Sequence, residues 1–419
     1  MRLIYTSLFY LCTPIIILRL LWKSRRLPAY RDRILERFFL QSKKPTPVDV
    51  WVHAVSLGEV NAAVELVNKL IFLNQSVMFT TMTPTGSERV QSLFKDKVQH
   101  QYIPYDMPWM IRQFYRSIQP KLGIIMETEL WPNCINEAYK QGFPLFIVNG
   151  RISDGAFKQY LKCRKVFRPI LNQLAGIIAQ SKLDAERFIQ LGIDAAKVTV
   201  AGNLKFDLKV TTFDGRQFDL LQQAWGQSRP VVLAASTHEN EEEQLLDRLK
   251  ILKGSIPDVL LLIAPRHPER FNTVYKRAKE KGFNTGLRSN SSSISDKCDV
   301  IVLDSMGELS GFFAYTDYAF VGGSLVPIGG HNVLEPMMLG VAVYTGPFNH
   351  NSKAIIEALS QAKAITIASD ADELIQSIIT HFQQPEVCQK QIARANQVLT
   401  DNRGSIDNHM KVLKPHLIL

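Results

Sequence analysis

Short apolar runs, each ending in polar residues and followed by a stretch with helical spacing, recur in two series along this chain and leave it few ways to fold. The first series is VDVWVHAV (48–55), SVMFTTM (76–82), KLGIIME (121–127), FPLFIVNG (143–150) and AGIIAQS (175–181). Helix-like segments at 60–73, 86–94 and 132–141 lie between them. This alternation predicts βα units, a parallel sheet with helices on both faces. The rhythm stops in a polar stretch, 211–229. It restarts with RPVVLAAS (229–236), DVLLLIAP (258–265), CDVIVLDS (298–305), DYAFVGGS (317–324) and VAVYTGP (341–347). Two α/β domains are therefore expected, at 48–210 and 229–400, joined by a linker at 211–228. At about 150 residues per domain, 419 residues fit that count with some chain to spare. From residue 370 to 419 the sequence looks helical and is expected to pack back across both halves, with 401–419 as a C-terminal helical tail.

The N-terminus departs from this pattern. Residues 3–22, LIYTSLFYLCTPIIILRLLW, are long and apolar enough to suggest a membrane anchor over 1–22, since about 20 apolar residues cross a bilayer core. No small-residue cleavage site follows, so the segment is expected to be retained. A basic linker, 23–47, comes next. Arg19, Lys23, Arg25, Arg26, Arg31, Arg33 and Arg37 face only Asp32 and Glu36, a flank that stays cytoplasmic and is drawn to anionic lipid. Pro14 and Arg2 leave open a helix lying in the inner leaflet. A third reading is an apolar helix packed on the protein itself. The net charge of +10 points to an anionic partner. No nucleic-acid-binding motif is present, and part of the excess charge sits behind the apolar segment, so nucleic acid is the least favoured partner. Five cysteines, widely spaced and without a CxxC pair, exclude a disulfide framework or zinc knuckle.

Ligands of parallel sheets bind at the carboxyl ends of the strands, so the residues there are the candidates for chemistry. Glu59 opens a helix just after the first run; it either complements the helix dipole or serves as a general base. Glu127 ends the run at 121–127 and Glu129 stands two residues on, and two carboxylates there are costly to bury without partners. Lys205, in GNLKFD (202–207), is either a solvated surface lysine or a cation at the same edge. In the second half, Arg266 directly follows a strand and suits a phosphate. His267 stands beside it. DSMGEL (304–309) offers a helix start, as does the glycine-rich segment GGSLVPIGGHNVLEP (322–336), whose amides are expected to approach an anion and whose helix is expected near Asn332. It matches neither a dinucleotide fingerprint nor a phosphate-binding P-loop. Asp370 and Asp372 are read as a helix cap rather than a metal site.

Longer motifs make the reading specific. VHAVSLGEV (52–60), TTMTPTGSERVQS (80–92), IMETELWPN (125–133), GNLKFD, STHE (236–239), PRHPERF (265–271), DSMGEL and FVGGSLVPIGGHNVLEP (320–336) together resemble the 3-deoxy-D-manno-octulosonic acid (Kdo) transferases of Gram-negative lipopolysaccharide synthesis. The resemblance runs nearly end to end. It implies a GT-B-type glycosyltransferase: two Rossmann-like α/β domains facing a cleft, with an N-terminal membrane-anchor helix at the cytoplasmic face of the inner membrane. It implies CMP-Kdo as donor, the lipid A precursor as acceptor, an inverting displacement, no cofactor and no metal. By resemblance Glu59 is the proton acceptor, and Glu127 and Lys205 stabilise the transition state. Pro265 and Arg266, Met306, Gly307 and Glu308, and Asn332, Val333, Leu334 and Glu335 contact CMP. Two departures stand out: Asn240 replaces the usual glycine after STHE, and Asn149-Gly150-Arg151-Ile152 stands where Asn-Ala-Arg-Leu is usual. The alternatives are another GT-B transferase using a different nucleotide sugar, and a membrane-tethered binding protein.

Overall fold

The computed structural model describes residues 2–26, 28–42, 44–207 and 215–417. The chain forms two compact units, Met1–Leu208 with Asn402–Leu419, and Lys209–Asp401.

Unit 1 carries β1 (Val50–His53), β2 (Val77–Thr81), β3 (Gln99–Tyr102), β4 (Leu122–Met126), β5 (Leu145–Gly150), β6 (Gly176–Ala179) and β7 (Val198–Val200). They form one parallel sheet in the order β3-β2-β1-β4-β5-β6-β7. Successive side chains point to opposite faces of a strand, and both faces here are apolar. Trp51, Ile125, Ile147 and Ile177 point to one layer, with Phe114 and Tyr115. Val50, Val52, Ile124, Val148 and Ile178 point to the other, against Ala63, Leu66, Val67 and Leu70 of the helix Leu57–Phe72. Burial on both sides is why these strands read as unbroken apolar runs.

Unit 2 repeats the plan with β8 (Val231–Thr237), β9 (Leu260–Pro265), β10 (Thr285–Leu287), β11 (Val300–Val302), β12 (Tyr318–Val321), β13 (Ala342–Thr345) and β14 (Thr366–Ile367), ordered β10-β11-β9-β8-β12-β13-β14 and all parallel. The segment read as linker contains a helix, Gly215–Trp225. Its polar residues hide a helical stripe: Phe218, Leu221 and Trp225 are buried with Leu233, Leu262 and Phe312 in the core of unit 2. Each such side chain contributes about 1.5–3 kcal/mol on burial. The C-terminal stretch divides between the units. The helices Ala371–Gln383 and Pro385–Asp401 belong to unit 2, and the helix Ser405–Leu413 packs Met410 and Leu413 into unit 1.

The N-terminal segment is a helix, Arg2–Arg26, with Pro14 inside it. It lies along unit 1. Thr6 Oγ1 donates to Asn133 Oδ1 at 3.0 Å, Phe9 and Ile16 pack on the core, and Leu20 is buried. Among the described residues no helix is long and apolar enough to cross a membrane. The opposite face is apolar and open: Leu8, Leu11, Ile15, Leu18 and Trp22 are 54–74% exposed. The basic flank also divides. Arg33 turns inward to Ser87, Glu36 and His100, and Arg37 is buried, while Arg19, Arg25 and Arg31 stay exposed.

Candidate functional site

In unit 1 the strand order reverses between β1 and β4, the switch point at which open parallel sheets leave a crevice. The helix Leu57–Phe72 that follows β1 carries Glu59 in its first turn, and the loop leaving β4 carries Glu127. Ser56 caps the helix Leu57–Phe72, accepting from Glu59 N at 3.4 Å and donating Oγ–H to Glu59 Oε1 at 2.9 Å. Val55 N donates to Glu59 Oε2 at 2.8 Å. Glu59 thus takes part in a variant of the capping box, its carboxylate accepting from the residue before the N-cap, and the helix-start reading is correct as far as it goes. It does not account for the carboxyl's acidity. Burial first, and the Glu127 charge second, push the Glu59 pKa from 4.5 up to about 7, against the opposing pull of the Val55 and Ser56 hydrogen bonds. A carboxylate that titrates near neutrality suits a general base.

Glu127 takes a left-handed backbone (φ 55), sparsely populated for a residue with a side chain. Its N–H donates to Val148 O at 2.9 Å, and its Oε1 accepts from Lys205 Nζ at 3.2 Å. Each side chain of this pair is 18% exposed, so Lys205 is no solvated surface lysine. Glu129 instead accepts from Trp131 Nε1 at 2.7 Å, and burial raises its pKa, with Glu127 adding to the rise.

The turn Leu204–Asp207 that presents Lys205 is fastened by residues far away in sequence. Asn149, also left-handed at φ 56, accepts from Leu204 N at 3.0 Å through Oδ1. Its own N–H donates to His409 Nε2 at 3.3 Å, which leaves His409 Nδ1–H to donate to Ser405 O at 2.7 Å. His409 is fully buried, and that burial lowers its pKa to about 4, so the ring is neutral. The Asp207 carboxylate accepts from Gly404 N at 2.8 Å and Ile406 N at 2.6 Å. The C-terminal helix is therefore latched to the lysine's turn. Nothing in the local sequence of 202–207 signals His409.

In unit 2 the switch point falls between β8 and β12, and the expected donor-binding segments gather at the strand ends around it. Pro265 ends β9, and Arg266 N donates to Thr237 O at 2.9 Å. The Arg266 guanidinium makes no hydrogen bond or salt bridge among the described residues. Its charge is felt by His238 and His331, whose Nε2 atoms lie 2.8 Å apart in stacked rings. Burial, then the neighbouring His238, Arg266 and His267, lower the His331 pKa to about 4. His238 and His331 were not singled out by the sequence; their meeting follows from the adjacency of β8 and β12.

The glycine-rich segment behaves differently from expectation. Gly323, Ser324 and Leu325 do present their amides to an anion, but the anion is Glu241, whose carboxylate accepts from these three N–H groups and from His238 N at 2.7–3.0 Å. The amides of Gly329 and Gly330 donate to Gly323 O. Glu241 is fully buried and was missed by the sequence reading. Asn240, which stands in place of the usual glycine, has φ 72 and begins the helix Glu241–Ser255. Asparagine tolerates that left-handed conformation better than most side chains.

The two expected helix starts each open a short helix. Glu308 precedes a five-residue helix, Leu309–Phe313, and accepts from Arg288 Nη2 at 3.0 Å, from Gln217 Nε2 at 3.3 Å and from Ser305 Oγ. Met306 is 61% exposed and Gly307 has φ 86. The second helix begins at Leu334, near Asn332 as expected, and also has five residues. Asn332 Oδ1 accepts from Leu334 N at 3.1 Å, while Val333 and Leu334 are buried, so their side chains pack and only their backbones are available to a ligand. Ser310, in the helix Leu309–Phe313 that follows Glu308, donates to Glu335 and so ties that helix to the Asn332–Glu335 segment. Asp370 caps the helix Ala371–Gln383 through Glu373 N, and Asp372 pairs with Arg248.

Known proteins with this architecture narrow the reading. In fold, the chain matches a UDP-GlcNAc 2-epimerase from Neisseria meningitidis (TM-score 0.58, 15% identity, 88% of this chain and 99% of that one). It matches a glycosyltransferase from Rickettsia africae equally well (TM-score 0.58, 12% identity, 89% and 99%). Residues 32–208 match the family described as 3-deoxy-D-manno-octulosonic-acid transferase (kdotransferase). A 3-deoxy-D-manno-octulosonic acid transferase of Haemophilus influenzae is 38% identical over 99% of both chains. With that identity sustained from end to end, this chain belongs to the 3-deoxy-D-manno-octulosonic acid transferases, a family of glycosyltransferases.

Proposed function

We propose that this enzyme moves Kdo from CMP-Kdo to a glucosamine hydroxyl of the lipid A precursor in lipopolysaccharide synthesis, with inversion. The observation that carries the reading is the Glu59 carboxylate, set at the sheet's switch point beside the Glu127–Lys205 pair and raised to about 7. In the step, the acceptor hydroxyl gives its proton to Glu59 as its oxygen bonds to the anomeric carbon, and the bond from that carbon to the CMP phosphate breaks. CMP leaves with the electron pair. The reading assigns CMP to unit 2, where the unpaired Arg266 guanidinium suits the departing phosphate; one such donor is typically worth about 10²–10³ in rate. Lys205 is an ammonium available to the Kdo carboxylate or the phosphate. The scheme invokes neither cofactor nor metal.

Incubation with CMP-Kdo and the tetraacylated precursor should yield a product heavier by one or more Kdo residues in mass spectrometry. No mass gain would end the proposal. Displacement of donor by UDP rather than CMP would favour a transferase for a different nucleotide sugar. Arg266→Ala should weaken CMP binding by about 1.5–3 kcal/mol, the usual loss for a charged hydrogen bond. Unchanged calorimetric affinity in a folded variant would remove Arg266 from the site.

We also assign the protein to the cytoplasmic face of the inner membrane. Leu8, Leu11, Ile15, Leu18 and Trp22 recur every three or four residues on the open face of the N-terminal helix, the pattern of a helix lying in an interface. Exposed Arg19, Arg25 and Arg31 add attraction to anionic lipid, about 1 kcal/mol each. Removing residues 1–22 would also unpack Phe9, Ile16 and Leu20. The cleaner test is the triple change Leu11→Gln, Ile15→Gln, Leu18→Gln, which should release the folded protein from anionic vesicles in flotation. Undiminished flotation would refute the assignment.

A further inference from the structure

A cavity of 470 Å³ lies between the N-terminal helix and the body of unit 1, within the range of about 300–1,000 Å³ typical of small-molecule sites. Phe9, Ile16 and Leu20 line it from the helix, and Met82, Tyr105 and Trp131 from the domain. Its walls are mostly apolar and aromatic; Thr83 and the buried Asp106 also line it, the Asp106 carboxylate being occupied by the N–H groups of Asn133 and Cys134. It also holds a cation. Arg37 lines the cavity, is 2% exposed, and leaves Nε and Nη2 without a hydrogen-bond partner among the described residues. Its guanidinium lies 3.9 Å from the Tyr102 ring centre, which occupies a face of the group and not these N–H donors. Buried, unused donors are costly, the more so when charged, and oxygen atoms of a ligand would relieve that cost.

The cavity also reaches the proposed chemistry. Val55, whose N–H holds the Glu59 carboxylate, lines it. Exposed Arg19 lines it too, from the helix whose outer face is the apolar stripe. A wholly apolar ligand leaves Arg37 unexplained, and a free phosphate leaves the aromatic walls unexplained. An amphiphile with an oxygen-rich head satisfies both.

We propose that this cavity binds one acyl chain of the acceptor lipid, with Arg37 donating to oxygens at the head of that chain, so that the sugar is held at the end of β1. The inference rests on the acceptor proposed above, and the test separates the two. The full chain and its Ile16→Trp variant are assayed with CMP-Kdo on the tetraacylated precursor and on the same phosphorylated disaccharide with its acyl chains removed. Tryptophan in place of Ile16 intrudes on the cavity from its helix wall, so the ratio of kcat/KM for acylated over deacylated acceptor should fall about tenfold or more, which corresponds to about 1.4 kcal/mol. A ratio within twofold of wild type overturns the cavity assignment. A wild type that uses neither acceptor overturns the function instead.

Should the variant fail to fold, the wild type carries the test alone. A precursor bearing a photoreactive group on an acyl chain should crosslink to peptides containing Phe9, Met82 or Trp131. Crosslinks confined to other segments overturn the proposal. So does labelling of these peptides by a photoreactive phospholipid that the precursor does not displace, which would make the occupant a membrane lipid.

Discussion

Glu59→Gln should lower kcat by about 10²–10⁴ while leaving CMP affinity level, because the substitution keeps shape and helix start but removes the proton acceptor. A role limited to the capping box predicts a different result: a fraction of a kcal/mol in stability and nearly intact turnover. The pH dependence separates the two further. The carboxyl is a base only when ionised, so wild-type turnover should decline as pH falls through about 7, and the variant should lack that limb. Stability runs the other way. A carboxyl whose pKa is raised from 4.5 to about 7 on folding favours the native state in its protonated form. That contribution is complete below 4.5 and is lost as pH rises through 7, where the charge must stay desolvated. Glu59→Gln should therefore raise the melting temperature relative to wild type at pH 8 and not at pH 5. A folded variant within tenfold of wild-type turnover, with chemistry rate-limiting, would refute the role.

Glu241→Leu should unfold unit 2 or come close to it. The fully buried carboxylate accepts from four backbone N–H groups, on His238, Gly323, Ser324 and Leu325. Leucine offers these donors nothing, and each buried unpaired donor costs about 1–3 kcal/mol, so a loss of at least about 4 kcal/mol is expected. Glu241→Gln retains one accepting oxygen and turns an NH₂ toward amides that already donate, so it should fall between wild type and leucine. Its loosened 322–336 loop should bind CMP more weakly. Urea unfolding monitored on the unit 2 tryptophan, Trp225, measures the cost. A loss below about 1 kcal/mol for the leucine variant would mean that the loop finds other acceptors.

The fold was legible in most of its strands because their burial on two sides writes itself as apolar runs. β3, β7, β10 and β14 escaped that reading, and they are the four edge strands of the two sheets. An edge strand has fewer neighbours to bury it. Gln99-His100-Gln101-Tyr102 of β3 shows how polar such a strand becomes. The helix Gly215–Trp225 was hidden for a related reason, since only its Phe218, Leu221 and Trp225 stripe enters the core. The sequence left open whether the N-terminal helix spans a bilayer, lies in one leaflet or packs on the protein, because a one-dimensional run of apolar residues does not say which ones face protein. Phe9, Ile16 and Leu20 do; Leu11, Ile15 and Leu18 do not.

At the site, the sequence by itself determined which residues stand at strand ends, since strand periodicity and turn residues are local properties. Glu59, Glu127 and Arg266 were placed that way; Lys205 was singled out in the GNLKFD segment although β7, the strand before it, went unread. Their chemical state was decided only by the tertiary structure. The adjacency of β1 and β4, strands separated by some 70 residues of chain, sets Glu127 near Glu59 and helps raise its pKa, and the turn after β7 brings the Lys205 ammonium to Glu127. The same holds for the anion on the glycine-rich loop, which proved to be Glu241, and for His409, which reaches Asn149 across 260 residues of sequence. A pKa and a buried hydrogen bond depend on distance and desolvation in three dimensions, and neither quantity exists until distant segments have packed together.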